Sequence, residues 1–366
     1  MNGLKLIFKK QYNTRMRNSK MVQYYYLGKG SISNLKDLLN KKKEGNNQTF
    51  VVVVIDHFFK DKGILDLTYL SAEDLIIYAD TTHEPKTSYV DELVNLVKQK
   101  NKLPVAIVGI GGGSALDIAK AISVLLTNDG NSENYQGWDL VKNPPIYKIG
   151  IPTIAGTGAE FTRTAVLTGP TKKLGINSDY SVFDQVILDA DLLVTVPKHQ
   201  FVYTAMDCYV HNAESLLGRI NDAMTIALAE KSSKMIEDIF LGEMDLEKLL
   251  VASSMGGLAV ANSSVGICHP LSYGLSIELD LHHGFAICVA FNQLEEYYPQ
   301  VKTFKEILKK YDINLPKIIT EDITDEQLYR MAEATLKNEN PLSNAFGPDW
   351  KNVFSKEKVI ELLRKM

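Results

Sequence analysis

The sequence is poor in cysteine and tryptophan, with three of the first (Cys208, Cys268 and Cys288) and two of the second. Three thiols cannot form a paired disulfide framework, so a small stapled fold is excluded and a reducing compartment, the cytoplasm, is expected. Long apolar runs are also missing. None reaches the ~18 residues that cross a bilayer, which argues against a membrane partner. A basic excess is lacking too: the formal net charge is -4, whereas a nucleic-acid binder needs a basic face. The first residues carry Lys5, Lys9, Lys10, Arg15 and Arg17, but no sustained apolar stretch and no small-residue cleavage site, so a secretory leader is not expected. Residues 1–20 read instead as an arm, frayed or touching a second copy, with Met16 and Met21 as alternative starts.

What is present begins with length. The 366 residues suffice for about two domains, each with a core of its own. Residues 50–55 form a continuous apolar, β-branched run, the pattern of a parallel strand buried on both faces. Residues 105–110 repeat the pattern, and shorter strands are expected at 23–27, 74–78, 149–153, 166–168 and 186–188. Helices are expected from Ser31 or Ser33 to Leu39, over 88–100 and over 115–126. Strand alternating with helix at this spacing means a doubly wound, mostly parallel sheet of the Rossmann-like kind. After Pro197 the pattern is helical, with amphipathic stretches at 222–239 and 324–336, so a boundary is expected near 194–197. The chain thus divides into an arm (1–20), an α/β domain (21–195) and an all-α domain (196–366).

Several motifs carry chemistry. Gly111-Gly112-Gly113-Ser114 joins a buried strand to a helix; glycines there let a phosphate approach the backbone and the helix N-terminus, although packing alone also explains such a turn. Asp117 follows in what reads as the first helical turn. Asp56 ends the strand at 50–55, where a carboxylate either binds the ribose hydroxyls of NAD and repels a 2′-phosphate, or is simply solvated. Thr153, Thr157 and Thr162 line a second small-residue loop, a ligand loop or a polar turn. Further on, Asp207 and His211 are four apart and share a helix face, as ligands or as an ordinary hydrogen-bonded pair; His269 and His283 lie downstream. Carboxylate and imidazole together suit Fe²⁺ or Zn²⁺ rather than Ca²⁺ or Mg²⁺.

Four stretches, taken in order, resemble one family. They are Gly-Gly-Gly-Ser-x-x-Asp at 111–117, Pro-Thr-x-x-Gly-Thr-Gly-x-Glu at 152–160, Asp-x-x-x-His-x-x-Glu at 207–214, and the histidines 269 and 283 at that family's interval. The chain resembles the iron-containing, or group III, alcohol dehydrogenases, which share a fold with glycerol dehydrogenase and dehydroquinate synthase. The resemblance covers roughly residues 21–300. It implies that Asp207, His211, His269 and His283 bind one divalent metal. It also implies that the turn at 111–117 holds the NAD pyrophosphate, and that Thr153, Thr157, Thr162 and Lys173 line the cofactor site. The reaction implied is NAD-dependent oxidation of a primary alcohol to an aldehyde, by a homodimer.

Phrases at 164–171, 173–179 and 206–209 look like the branch containing 3-deoxy-manno-octulosonate 8-oxidase, which acts on the terminal alcohol of a sugar acid. No flavin or haem signature accompanies them, so NAD⁺ is the expected electron acceptor. For such a substrate, the family positions facing it are Thr164 and Val265, with Arg163 or His282 to meet its carboxylate. Two positions depart from the family pattern: Tyr273 stands where a further histidine is common, and Glu84-Pro85 replaces Asn-Pro. Tyr273 either passes a proton outward or packs against a ring. The competing readings are a broad short-chain alcohol dehydrogenase, a lyase of the dehydroquinate synthase kind, and a non-catalytic binding or structural descendant, against which the intact ligand set argues. Against the lyase, those cyclases resemble one another in a glutamate as first ligand, where this chain has Asp207.

Overall fold

The structure is a computed structural model, and it describes residues 19–44, 49–68, 70–170 and 173–366. The expected arm at 1–20 therefore lies outside the described residues except for its last two. The chain forms two compact units. One comprises Lys20–Phe201 with Asp245–Gly257; the other contains Val202–Met244 and Leu258–Met366.

The first unit is built on a six-stranded sheet in the order β1 (Tyr24–Leu27), β9 (Gln185–Leu188), β6 (Lys148–Pro152), β4 (Ala106–Gly111), β2 (Val51–Asp56), β3 (Leu75–Ala79). Every pairing in it is parallel. The β-branched run explains why. Val51, Val53 and Ile55 point to one side, against Leu35 and Leu39 of α1 (Leu35–Lys43). Val52 and Val54 point to the other, against Val90, Leu93, Val94 and Val97 of α2 (Thr87–Lys98) and Ile118 and Ile122 of α3 (Gly113–Leu125). A strand covered on both faces needs apolar residues at every position, not at alternate ones. Register then aligns the strand ends: Ile55 stands opposite Ile110, and Gly111 opposite Pro152. Asp56, the glycine turn and the loop after Pro152 consequently meet at the carboxyl edge of the sheet, where open α/β sheets bind ligands.

A smaller, three-stranded sheet holds β5 (Gly137–Trp138), β8 (Lys173–Asn177) and β7 (Thr164–Thr168). The sequence suggested one strand at 166–168; the chain makes an antiparallel hairpin, with Thr164 opposite Asn177. Gly175 hid the second strand. A Cβ there would stand 2.3 Å from the Thr164 methyl, so the position demands a residue that does not favour strands.

The helical unit takes α4 (Lys198–Leu217) from Val202 onward, α5 (Ala223–Leu241), the end of α6 (Leu246–Asn262), α7 (Cys268–Leu279), α8 (His283–Phe291), α9 (Val301–Lys310), α10 (Asp325–Leu336), α11 (Glu339–Phe346) and α12 (Lys356–Leu363). Asp222 caps α5 by accepting from Thr225 N at 2.8 Å, and a Thr324–Gln327 capping box starts α10. The boundary expected near 194–197 is corrected in two respects. The units divide after Phe201, and residues 245–257 belong with the α/β unit. There Ser253 Oγ accepts from Gly156 N at 2.7 Å, and a Cβ on Gly158 would meet Gly257 Cα at 2.4 Å. Helical periodicity specifies a buried face but not the element that buries it.

Candidate functional site

In the helical unit, α4 presents Asp207, His211 and Glu214 on one face, at spacings of four and three. His269 lies in the first turn of α7, where Pro270 is tolerated because its missing N–H has no helical partner. His283 begins α8. These elements bring four ligand atoms together. The Nε2 atoms of His211, His269 and His283 lie 3.7, 3.6 and 3.6 Å from Asp207 Oδ1, and His269 Nε2 lies 3.0 Å from His211 Nε2. Asp207 Oδ1 is buried and has no hydrogen-bond partner. Atoms held about 2.0–2.2 Å from one ion at tetrahedral angles stand roughly 3.3–3.6 Å apart. The donor set, its spacing and the orphaned oxygen therefore fit one divalent transition-metal ion.

The protonation states follow from burial and neighbours. Burial alone would raise the Asp207 carboxyl; His211, His283 and His269 overcome it and hold the group far below the usual range. Burial lowers His211, against the pull of Asp207, and so favours the neutral ring that ligation requires. His269 behaves differently. Burial lowers it, but Glu214 and Asp207 outweigh burial and push it up to about 9. Glu214 is itself buried, and its Oε2 lies 2.5 Å from His269 Nδ1 while its Oε1 accepts from Cys268 N at 2.7 Å. Glu214 closes the motif at 207–214, yet its role was not evident from the sequence. Its position seven residues after Asp207, on the same helix face, was the available signal.

Tyr273 packs edge-on to His269 with ring centroids 6.1 Å apart, and stacks on His283 at 5.9 Å. It thus touches two of the candidate ligands. His282 is exposed, and its backbone carbonyl accepts from Ala286 N at 2.9 Å at the start of α8. The residues whose ligand atoms all lie within 4.8 Å of one another are Asp207, His269 and His283; His282 is not among them, and His211 approaches Asp207 and His269 from outside that set. Val265 precedes α7 and its carbonyl accepts from Asn344 Nδ2 at 3.1 Å.

In the α/β unit, the glycine turn is shaped by close approach. Gly111 has φ +150°, and a Cβ there would meet Ala115 Cβ at 2.7 Å and Asp56 Cβ at 3.0 Å. A Cβ on Gly112 would strike Ile154, and one on Gly113 would press on Thr157. Thr153 N donates to Gly111 O at 3.0 Å, so the two small-residue loops form one surface beside Ser114 at the start of α3. Asp56 Oδ1 accepts from Phe58 N at 2.9 Å, capping a short 3-10 turn, and the side chain stays partly exposed beside Gly111.

The remaining sequence-predicted residues of this unit all have partners within it. α3 begins at Gly113, so Asp117 is past its first turn and faces inward, accepting from Val166 N and Lys120 Nζ. Thr162 is buried and accepts from Lys120 Nζ at 3.1 Å. Arg163 is ion-paired with Asp139 and, at 3.1 Å, with Asp179, so its charge is already matched. Thr164 Oγ1 donates to Asn177 Oδ1 at 2.6 Å within the small sheet. Lys173, on β8, lies 3.2 Å from Glu84, the residue that departs from the family's Asn-Pro.

Comparison with known proteins agrees in both units. Residues 23–190 match the family described as iron-containing alcohol dehydrogenase, and residues 201–327 match its C-terminal counterpart. The NAD-dependent methanol dehydrogenase of Bacillus methanolicus is 28% identical over 356 residues, 93% of this chain and 90% of that protein. The sulfoacetaldehyde reductase of Bilophila wadsworthia is 34% identical over 227 residues, 59% of this chain and 58% of the relative, so that match spans less than two thirds of the relative's length. The structure of an alcohol dehydrogenase from Oenococcus oeni has TM-score 0.81 at 22% identity, covering 96% of this chain and 100% of the other, a likeness of fold.

Proposed function

Because this chain belongs to the iron-containing alcohol dehydrogenase family, we propose that it interconverts a primary alcohol and its aldehyde, using NAD and one divalent metal ion. The observation that carries the reading is the convergence of Asp207 Oδ1 with three imidazole Nε2 atoms in a buried pocket of one unit. A bound ion supplies Lewis acidity toward an alcohol or carbonyl oxygen. The chain's own residues do the rest. Asp207 supplies the negative charge that retains a cation where three neutral rings alone would not. Glu214 orients His269 and keeps its proton on Nδ1, which turns the Nε2 lone pair inward. The Tyr273 ring packs against His269 and His283 and limits their movement. In the other unit, the turn from Gly111 to Ser114 would offer backbone N–H groups to a pyrophosphate, with Thr153 and Thr157 beside it, and Asp56 beside Gly111 would meet the ribose.

For the substrate, the finer reading is a terminal alcohol of a sugar acid of the 3-deoxy-manno-octulosonate kind, supported by the phrases at 164–171, 173–179 and 206–209. Arg163, already paired with two carboxylates, lends it no free cation. The broader reading, short-chain primary alcohols, needs none. Purified protein is assayed for iron and zinc, then for NADH formation with the sugar acid, propanol and 1,2-propanediol. Metal near one ion per chain and NADH formation with any primary alcohol are expected. A protein that binds no metal and reduces no NAD⁺ across the panel sinks the proposal. Faster turnover of the simple alcohols removes the sugar-acid reading alone.

The proposed assembly is a homodimer. β1 is the outermost strand of its sheet, and Tyr24, Tyr25, Tyr26 and Leu27 are all exposed, Tyr25 at 61%. A strand edge open on both faces and rich in aromatic residues is a surface that a second copy would cover. Sedimentation of the wild type as a dimer and of Tyr25→Asp as a monomer is expected; a monomeric wild type removes the reading.

A further inference from the structure

Behind the two cofactor loops, the α/β unit buries three charged side chains. Lys120, on α3, is fully buried, and its ammonium donates in three directions: to Thr164 O at 2.7 Å, to Thr162 Oγ1 at 3.1 Å and to Asp117 Oδ1 at 3.3 Å. The other Asp117 oxygen accepts from Val166 N at 2.9 Å. One helix therefore grips the chain at both ends of 162–166. That segment continues directly from the loop whose Thr157 lies against Gly113. Glu160, the third charged residue, is buried within that loop. Its Oε1 has no hydrogen-bond partner, and the hydroxyls of Ser253 and Ser254 bond to the carboxyl group.

An apolar residue would fill the site of Lys120 without the desolvation that a buried ammonium carries. What an apolar residue cannot do is satisfy three divergent acceptors. All three N–H groups are used, and each ties α3 to a point that fixes the course of 162–166. α3 is also the helix whose first turn carries the glycines. A displacement of the 153–164 loop relative to that turn would thus break contacts to Lys120 as well as the Thr153–Gly111 hydrogen bond.

We propose that Lys120, with Asp117 as its counter-charge, is a positioning residue that sets the 153–164 loop against the glycine turn in the arrangement NAD binding requires. This rests on the reading that Gly111–Ser114, Thr153 and Thr157 hold the cofactor.

The test compares wild type with Lys120→Met, Asp117→Asn and the double variant. NADH affinity is followed by fluorescence titration, stability by thermal unfolding, and KM for NAD⁺ against kcat by steady-state kinetics. Lys120→Met is expected to weaken NADH binding about tenfold or more, raising KM while kcat at saturating NAD⁺ changes by less than about threefold. The double variant removes the stranded carboxylate, so it recovers thermal stability but not affinity. A double variant that regains both shows a merely structural ion pair and overturns the proposal. A second measurement needs no variant: NADH should slow amide exchange at 162–166 in wild type, and unchanged exchange there also overturns it. Wild type that fails to bind NADH at all sinks the cofactor reading itself, whereas equal binding by wild type and Lys120→Met sinks only the role of Lys120.

Discussion

Glu214 Oε2 and His269 Nδ1 lie 2.5 Å apart, with both side chains buried, and this bond decides which nitrogen of the ring is free to face Asp207. A carboxylate behind a ligating imidazole fixes its tautomer and raises its basicity. Glu214→Gln should therefore lower metal affinity by about 10–100-fold while the protein still folds, because the amide oxygen can accept one of the two bonds. Competition with a chelator, read by metal analysis, measures this. Affinity equal to wild type would mean that Glu214 only caps α7 through Cys268 N.

Metal uptake should be linked to pH through the same ring. In the metal-free protein His269 holds a proton up to about 9, above its ordinary 6.5, because Glu214 and Asp207 outweigh the opposing effect of burial. Ligation requires the neutral form, so each pH unit below 9 should cost up to about tenfold in apparent affinity. Affinity should rise from pH 6 toward 9 and then level off, with proton release on metal addition detectable by an indicator dye. The metal-free protein should show the opposite trend. A raised pKa contributes stability that is fully present below 6.5 and is lost as pH rises through about 9. Thermal unfolding of metal-stripped and loaded protein over this range should therefore diverge.

His283 and the adjacent His282 can be separated by single substitutions. His283 Nε2 stands 3.6 Å from Asp207 Oδ1, while His282 is exposed outside the cluster. His283→Ala should lose bound metal and at least about 100-fold in turnover, since removing a ligand also leaves Asp207 less compensated in a buried place. His282→Ala should retain both within a few-fold. Stoichiometric metal and full activity in His283→Ala would place the ion elsewhere.

Cofactor choice should depend on Asp56. Its carboxylate caps the turn at Phe58 and flanks Gly111, so a phosphate on the ribose would meet a negative charge. Asp56→Asn keeps a capping oxygen and removes the charge. The preference for NAD over NADP should narrow by roughly tenfold, about 1–2 kcal/mol for charges a few ångströms apart at a protein surface. Wild type that binds both dinucleotides equally would show that this carboxylate does not face the ribose.

How much of this was legible in the sequence depended on whether the signal was local. The runs at 50–55 and 105–110 announced doubly covered strands because every residue in them is apolar, and β2 and β4 form there. The amphipathic stretch at 324–336 likewise marked α10. What depended on distant partners was not legible. Gly175 reads as a strand breaker until Thr164 is seen to lie over it. Residues 245–257 look like any amphipathic helix, and only Gly158 and Gly156 on their far side show where they belong. Asp117 looked like a ligand-facing residue because the start of its helix was placed two residues late and its partner Val166 is remote in sequence. Arg163 looked like an available cation because Asp139 and Asp179 are remote in sequence.

Asp207, His211 and Glu214 leave α4 from successive turns of one stripe, so their mutual placement is governed by the winding of a single helix. Inserting or deleting one residue between Asp207 and His211 would turn everything beyond it by about 100° and carry His211 and Glu214 off that stripe together. A cluster built this way can accept many substitutions in the surrounding loops, yet hardly any change in length along this one helix. Insertions and deletions should therefore be excluded from 207–214 more strictly than from residues 280–282, between the end of α7 and His283, where an added residue can be absorbed before α8 begins.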